Sequence, residues 1–311
     1  MAIRFRLLSV VVIALALGAC TLPGAASPTP FTFPTPNMTL TAIFAPTSTW
    51  TPAPPTLPPP PTEVPSPTVG FTPSTPGTPA TPVATLPPGT TTSRPNGAPV
   101  TAAFLATPPT IDGDLSDWST PPYTVSACVF GCSNRTGETD LSGTYYIGHD
   151  SSNLYLAVKV KDEKYVQLAT GHDIYKGDDV EIQLDSNLAG DYSSTTLSGD
   201  DFQVGLSDGN FGTHPPEAYR WYPQSLAGSL TTAVVKGKLL SDGYTLEAKI
   251  PWAVFNVLPS PGMSFGFALS LSDDDLAGTA IQQSMVSTVS TRKLLNPATW
   301  GTLTLGPTGG S

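Results

Sequence analysis

The sequence predicts an all-β protein: an antiparallel β-sandwich of jelly-roll type that follows a disordered Pro/Thr-rich linker. Short runs alternate apolar and polar residues with period two, as in LYLAVKV (154–160), VEIQL (180–184) and FGFALSLS (265–272). Clusters such as SGDD (198–201), SDG (241–243) and SPG (260–262) punctuate them, which is turn chemistry rather than helix chemistry. No amphipathic helical period emerges beyond a turn around Pro251–Phe255. Many short strands with Gly, Pro and Asp between them specify sheet packed on sheet.

The elements before the domain follow from composition. Residues 1–20, MAIRFRLLSVVVIALALGAC, carry Arg4 and Arg6, an apolar run and a small-residue end, the pattern of a secretory signal. That apolar run is shorter than the ~20 residues of a membrane span. Leu17-Gly18-Ala19-Cys20 resembles a bacterial lipobox, which implies lipidation of Cys20 and a membrane anchor without a span. Residues 21–99 are Pro, Thr, Ser and Ala with almost no charge, so neither helix nor sheet propagates and a semi-rigid linker is expected. Residues 100–307 then form one domain long enough for its own core.

Within that domain, FQVGL (202–206), AVVKGKLL (233–240), YTLEAKI (244–250) and TWGTLTL (299–305) read as further strands. Leu154, Leu156 and Val158, with Val180, Ile182 and Leu184 and then Phe265, Phe267 and Leu269, are expected to face the core. Tyr155, Lys159, Glu181, Gln183 and Gln203 fall on the opposite faces. Trp118, Trp252 and Trp300 are read as packing residues.

Charge and cysteine content exclude several function classes. The net charge is −10, with no basic surface for nucleic acid. Besides Cys20, only Cys128 and Cys132 remain, in CVFGC; outside the cytoplasm they are expected to form a small-loop disulfide. Two sulfurs and three scattered histidines do not make a zinc site. A nucleophile elbow and a phosphate loop are also missing, so catalysis is not expected.

IDGDLSDW (111–118), NLYLAVKVKDE (153–163), GDDVEIQLD (177–185), GYTLEAKIPW (243–252) and NPATWGTLTL (296–305) occur in an order and spacing that spans nearly the whole domain. Together they resemble the family 9 carbohydrate-binding module and its DOMON-like relatives. The resemblance implies a two-sheet sandwich that binds polysaccharide or glycan ends without cleaving them, often with a structural calcium. Asp112, Asp185 and Asp201, among other loop aspartates, are the candidate calcium ligands.

By the same resemblance Tyr175 and Glu181 match a sugar-contact pair, and Gln203 lies in the matching polar-lined strand. The chain departs from the family pattern twice. Val204-Gly205-Leu206-Ser207 stands where arginine and asparagine are common, and Arg292-Lys293-Leu294-Leu295 stands where a second clamp tryptophan is common. The aromatic-rich loop 207–224 offers Tyr219, Arg220 and Trp221 as replacements. The expected function is therefore carbohydrate binding by a non-catalytic, membrane-anchored lipoprotein at the bacterial cell surface. The alternatives are a protein-interaction module with a degenerate sugar site, or a haem domain using His149, His172, His214 or Met285.

Overall fold

The computed structural model describes residues 92–308. The signal segment, Cys20 and most of the linker lie outside the described residues. One sheet runs β10 (Val234–Leu240), β11 (Gly243–Pro251), β5 (Asn153–Asp162), β4 (Leu141–His149), with β2 (Tyr123–Val125) also on β4. The second runs β14 (Gly301–Leu305), β12 (Ser264–Asp273), β6 (Asp179–Asp185), β7 (Asp201–Ser207), β8 (Glu217–Tyr222), β9 (Gly228–Ser229). On the far side of β12, β13 (Ser284–Ser287) pairs with β12 and with β3 (Ala127–Phe130).

β1 (Val100–Phe104) joins the two sheets: its first three residues pair with β14 and its last two with β4. Both pairings are parallel, the exception to an otherwise antiparallel fold. A strand that changes sheets makes a corner, and the result is a curled sandwich.

Alternation does what the sequence requires of it. Leu154, Leu156 and Val158 pack against Val180, Ile182, Leu184, Phe265 and Leu269 in one core, each with essentially no exposed surface. Trp252 stacks on Phe265 inside it, ring centroids 5.8 Å apart. Trp300 is equally buried but sits in a satellite cluster with Ala268 and Val289. Trp118 is only half-buried, its indole donating to Glu247 Oε1 at 2.8 Å.

Two expectations change. Glu217–Tyr222 is a strand, not part of a loop: its polar and aromatic residues obscure the alternation, and pairing with β7 decides its conformation. The packed domain also begins before residue 100. Arg94, read as linker, is 3% exposed and pairs with Asp185 at 2.8 Å. Its backbone N–H donates to Thr302 Oγ1 and its Nε to the Tyr192 carbonyl. A buried guanidinium needs these partners, so residues just upstream of β1 belong to the fold.

Candidate functional site

The outer face of the second sheet holds a cavity of about 500 Å³, a size suited to a small ligand. Glu181 on β6 and Gln203 on β7 form its polar floor. They point outward because their neighbours Val180, Ile182 and Val204 point to the core. Tyr175 comes from a 3-10 turn, Gly171–Lys176, pinned by Ile174 in the interior and by Ser272 Oγ donating to the Tyr175 carbonyl at 2.8 Å.

Trp221 reaches the cavity through an irregularity. Gln203 pairs with Tyr222 and Val204 with Arg220, so Trp221 is an extra residue in β8, a bulge that re-aims its side chain. Its indole covers Gly205, where a Cβ would lie 2.2 Å from the ring, and its Nε1 donates to the His172 carbonyl at 2.7 Å. Tyr175 and Trp221 meet edge to face with centroids 6.1 Å apart. Gly205, a departure from the family pattern in sequence, is the residue that makes room for this wall.

Sequence reasoning missed the charge partner. Arg292 comes from the segment between β13 and β14 and pairs with Glu181 Oε2 at 3.2 Å. Gln183 and Gln203 donate to the same oxygen at 3.0 and 3.2 Å. Among the described residues, every hydrogen bond to the Glu181 carboxylate ends on Oε2. Burial raises the Glu181 carboxyl above its ordinary value, and Arg292 and the two amides oppose that rise. Burial also lowers the Arg292 guanidinium, against the pull of Glu181. Asp179, fully buried two residues before Glu181, is pushed well up, by burial first and by the Glu181 charge second. No sequence signal points to Arg292, because a partner 111 residues from Glu181 falls in no period or motif.

Of the six expected ligand residues, the structure brings Tyr175, Glu181, Gln203 and Trp221 to one cavity. Tyr219 stands behind it, 5.8 Å from the His172 ring and 5.9 Å from Trp221. Arg220 is placed elsewhere. It pairs with core-facing Val204, and its guanidinium donates to the carbonyls of Leu226 and Val254, both at 2.8 Å. Of the haem candidates, His172 and Met285 line the cavity, but Met285 Sδ already accepts from Arg292 Nη1 at 3.1 Å. His149 bonds the Gly306 carbonyl away from it. Cys128 and Cys132 are bonded to each other.

The expected calcium trio is not assembled. Asp112 lies in a turn whose backbone N–H donates to Glu247, on the other sheet. Asp185 and Asp201 face each other across β6 and β7, but Asp185 is held by Arg94. Asp201 gathers instead with Asp191 and Asp200, and a second, fully buried group is formed by Asp162, Asp178 and Asp273; within each group carboxylate oxygens lie within 4.8 Å of one another. In the second group each side chain has one oxygen bonded by the protein, from Lys164 N–H, Val166 N–H and Ser284 Oγ. The other oxygen of each is buried without a partner. Burial pushes Asp162 up to about 6 and Asp273 up to about 7. A cluster of buried, unpartnered hard oxygens is donor chemistry for a divalent cation.

Residues 111–307 match the family described as "Carbohydrate family 9 binding domain-like". No curated protein matches the chain. Among solved structures, a family 9 carbohydrate-binding module from Caldicellulosiruptor kristjanssonii in complex with cellotriose is similar over 68% of this chain and 94% of its own. Identity is 21% and the TM-score 0.52. The same module in complex with glucose gives 68% and 96% coverage at the same identity and TM-score. Those likenesses agree with the sandwich fold, and the family match covers nearly all of it. The chain belongs to the carbohydrate family 9 binding domain-like family.

Proposed function

We propose that the protein binds carbohydrate, without cleaving it, in the cavity framed by Tyr175, Trp221 and Glu181. The carrying observation is Glu181: a buried carboxylate with three protein donors on Oε2 and none described on Oε1, beside two aromatic rings. Sugar hydroxyls donate to such an oxygen, and apolar C–H faces pack on aromatic rings. The cavity's one lining carboxylate is committed to Arg292 and two amides, which suits hydroxyl recognition better than proton transfer.

The test is calorimetric titration with cellotriose and glucose, followed by affinity electrophoresis on a panel of polysaccharides. Binding is expected, weakened about tenfold by Tyr175→Ala or Trp221→Ala. If no carbohydrate binds or retards the protein, a protein-interaction role takes over. If sugar binds and neither substitution matters, the site lies elsewhere.

A calcium ion fits at Asp162, Asp178 and Asp273, where it would supply charge neutralisation between β5, the start of β6 and the end of β12. The lipobox at Cys20 and the Pro/Thr-rich segment support a lipoprotein holding this domain away from the bacterial surface. Fatty-acid labelling in cells should be lost in Cys20→Ser; labelling that persists removes the anchor.

A further inference from the structure

We propose that Phe130 is a second wall of the carbohydrate site, held over the cavity by the loop that the Cys128–Cys132 disulfide closes; this rests on the sugar-binding reading above. Strands run in the order β3, β13, β12, β6, β7, β8 across this face. Phe130 on β3 and Trp221 on β8 therefore flank the cavity, with Glu181 on β6 between them.

Val129 and Phe130 are consecutive, yet both line the cavity, whereas regular alternation would put them on opposite faces. The cause is a bulge: Met285 faces Phe130 and Val286 faces Cys128, leaving Val129 without a partner across the ladder. A bulge of this kind redirects a side chain. The chain then reverses at Gly131, with φ +57°, where a Cβ would come within 1.9 Å of the Gln283 carbonyl oxygen. The Asn134 amide donates to that same carbonyl at 2.8 Å.

The disulfide ties the two ends of this reversal together. The outcome is a phenyl ring 50% exposed, at a cavity, on a backbone pinned from three sides. An apolar ring kept in water at a pinned position has its surface still to bury and little backbone freedom to lose on binding. It lines the cavity together with Arg292, Lys293 and Leu294, although it comes from a part of the chain about 160 residues earlier, at the flank of the sheet. Leu294 and Met285 fill the lining beside it.

The experiment is calorimetric titration of cellotriose into the full protein and its variants, with unfolding midpoints measured in parallel. Phe130→Ala should weaken binding about tenfold with an unchanged midpoint, and Phe130→Trp should restore it. Cys128→Ser with Cys132→Ser should weaken binding similarly, and adding Phe130→Ala to that pair should cause no further loss, since both act through one ring. Unchanged affinity in Phe130→Ala overturns the proposal, as do losses that add. Because the ring is half-exposed, Phe130→Ala decides the matter even where the serine variants fold poorly. Failure of the unsubstituted protein to bind any carbohydrate overturns the sugar reading itself, and this inference with it; binding that ignores Phe130 overturns this inference alone.

Discussion

Two buried glutamates, one on each sheet, differ in how fully the protein occupies their oxygens, and the difference separates a structural carboxylate from the one proposed for recognition. Glu247 on β11 is fully buried, and both its oxygens are occupied. Oε2 accepts from the backbone N–H groups of Asp112 and Gly113, at 3.0 and 2.8 Å, and Oε1 from the Trp118 indole. Glu181 on β6 is 2% exposed, and its three donors crowd one oxygen at the edge of a cavity. The first is a closed knot tying IDGDLSDW to the sheet. The second is held in place with acceptor capacity to spare, which is what a ligand requires. The aspartates at 162, 178 and 273 extend the series, each keeping one oxygen without any protein donor.

Glu247→Ala tests the structural end of that contrast and should have the largest effect. It strands two backbone donors and an indole, lowering stability by about 3 kcal/mol, read by denaturant unfolding. Affinity of the folded fraction for sugar should not move; a parallel loss of affinity would erase the distinction. Calcium at the aspartate trio comes next. At a hundredfold excess over its Kd the ion adds about 2.7 kcal/mol, so a chelator should lower the unfolding midpoint, and identical curves with and without it remove the ion.

Glu181→Gln should lower sugar affinity about thirtyfold, the worth of a charge-assisted hydrogen bond, with a smaller fractional change in stability than Glu247→Ala. An unaltered affinity would place Glu181 with Glu247 as structure. The smallest effect is that of pH. Burial raises Glu181 above the ordinary 4.5, so acidifying from pH 7 protonates it earlier than a free glutamate and should weaken sugar binding progressively. Its contribution to stability has the opposite sign. With the folded value above the unfolded one, that contribution is fully present below the unfolded value and lost as pH rises through the folded one. Affinity that is flat from pH 7 to pH 4.5 would dissociate Glu181 from recognition.

Much of the fold was legible because its cause is local. Period two in β5, β6 and β12 placed every core residue named from those strands inside, and the same parity placed Glu181 and Gln203 on the outer face. β4, LSGTYYIGH, escaped notice because it is buried on both faces over much of its length and so lacks clean alternation. β8 reads as loop in the sequence because its pattern mixes Arg, Trp and Tyr, and a bulge shifts its parity at Trp221. Reading 207–224 as a loop also misplaces Arg220, which the register turns toward the core face while its neighbour Trp221 turns to the cavity. Arg94 was hidden by composition, since a single buried cation at the end of a Pro/Thr-rich stretch has no pattern around it.

By itself the sequence determined a sandwich, its core strands, the small-loop cysteine pair and half of the candidate cavity, because side-chain parity, turn chemistry and short separations are properties of neighbouring residues. Tertiary structure alone decided the other half. Arg292 meets Glu181 across a separation of 111 residues, Gly205 yields its space to Trp221, and a bulge beside a disulfide carries Phe130 to the same cavity. Contacts of that kind depend on the register between strands and on which segment crosses the sheet. No local period encodes either, because a shift of one residue in pairing moves a whole row of side chains to the other face.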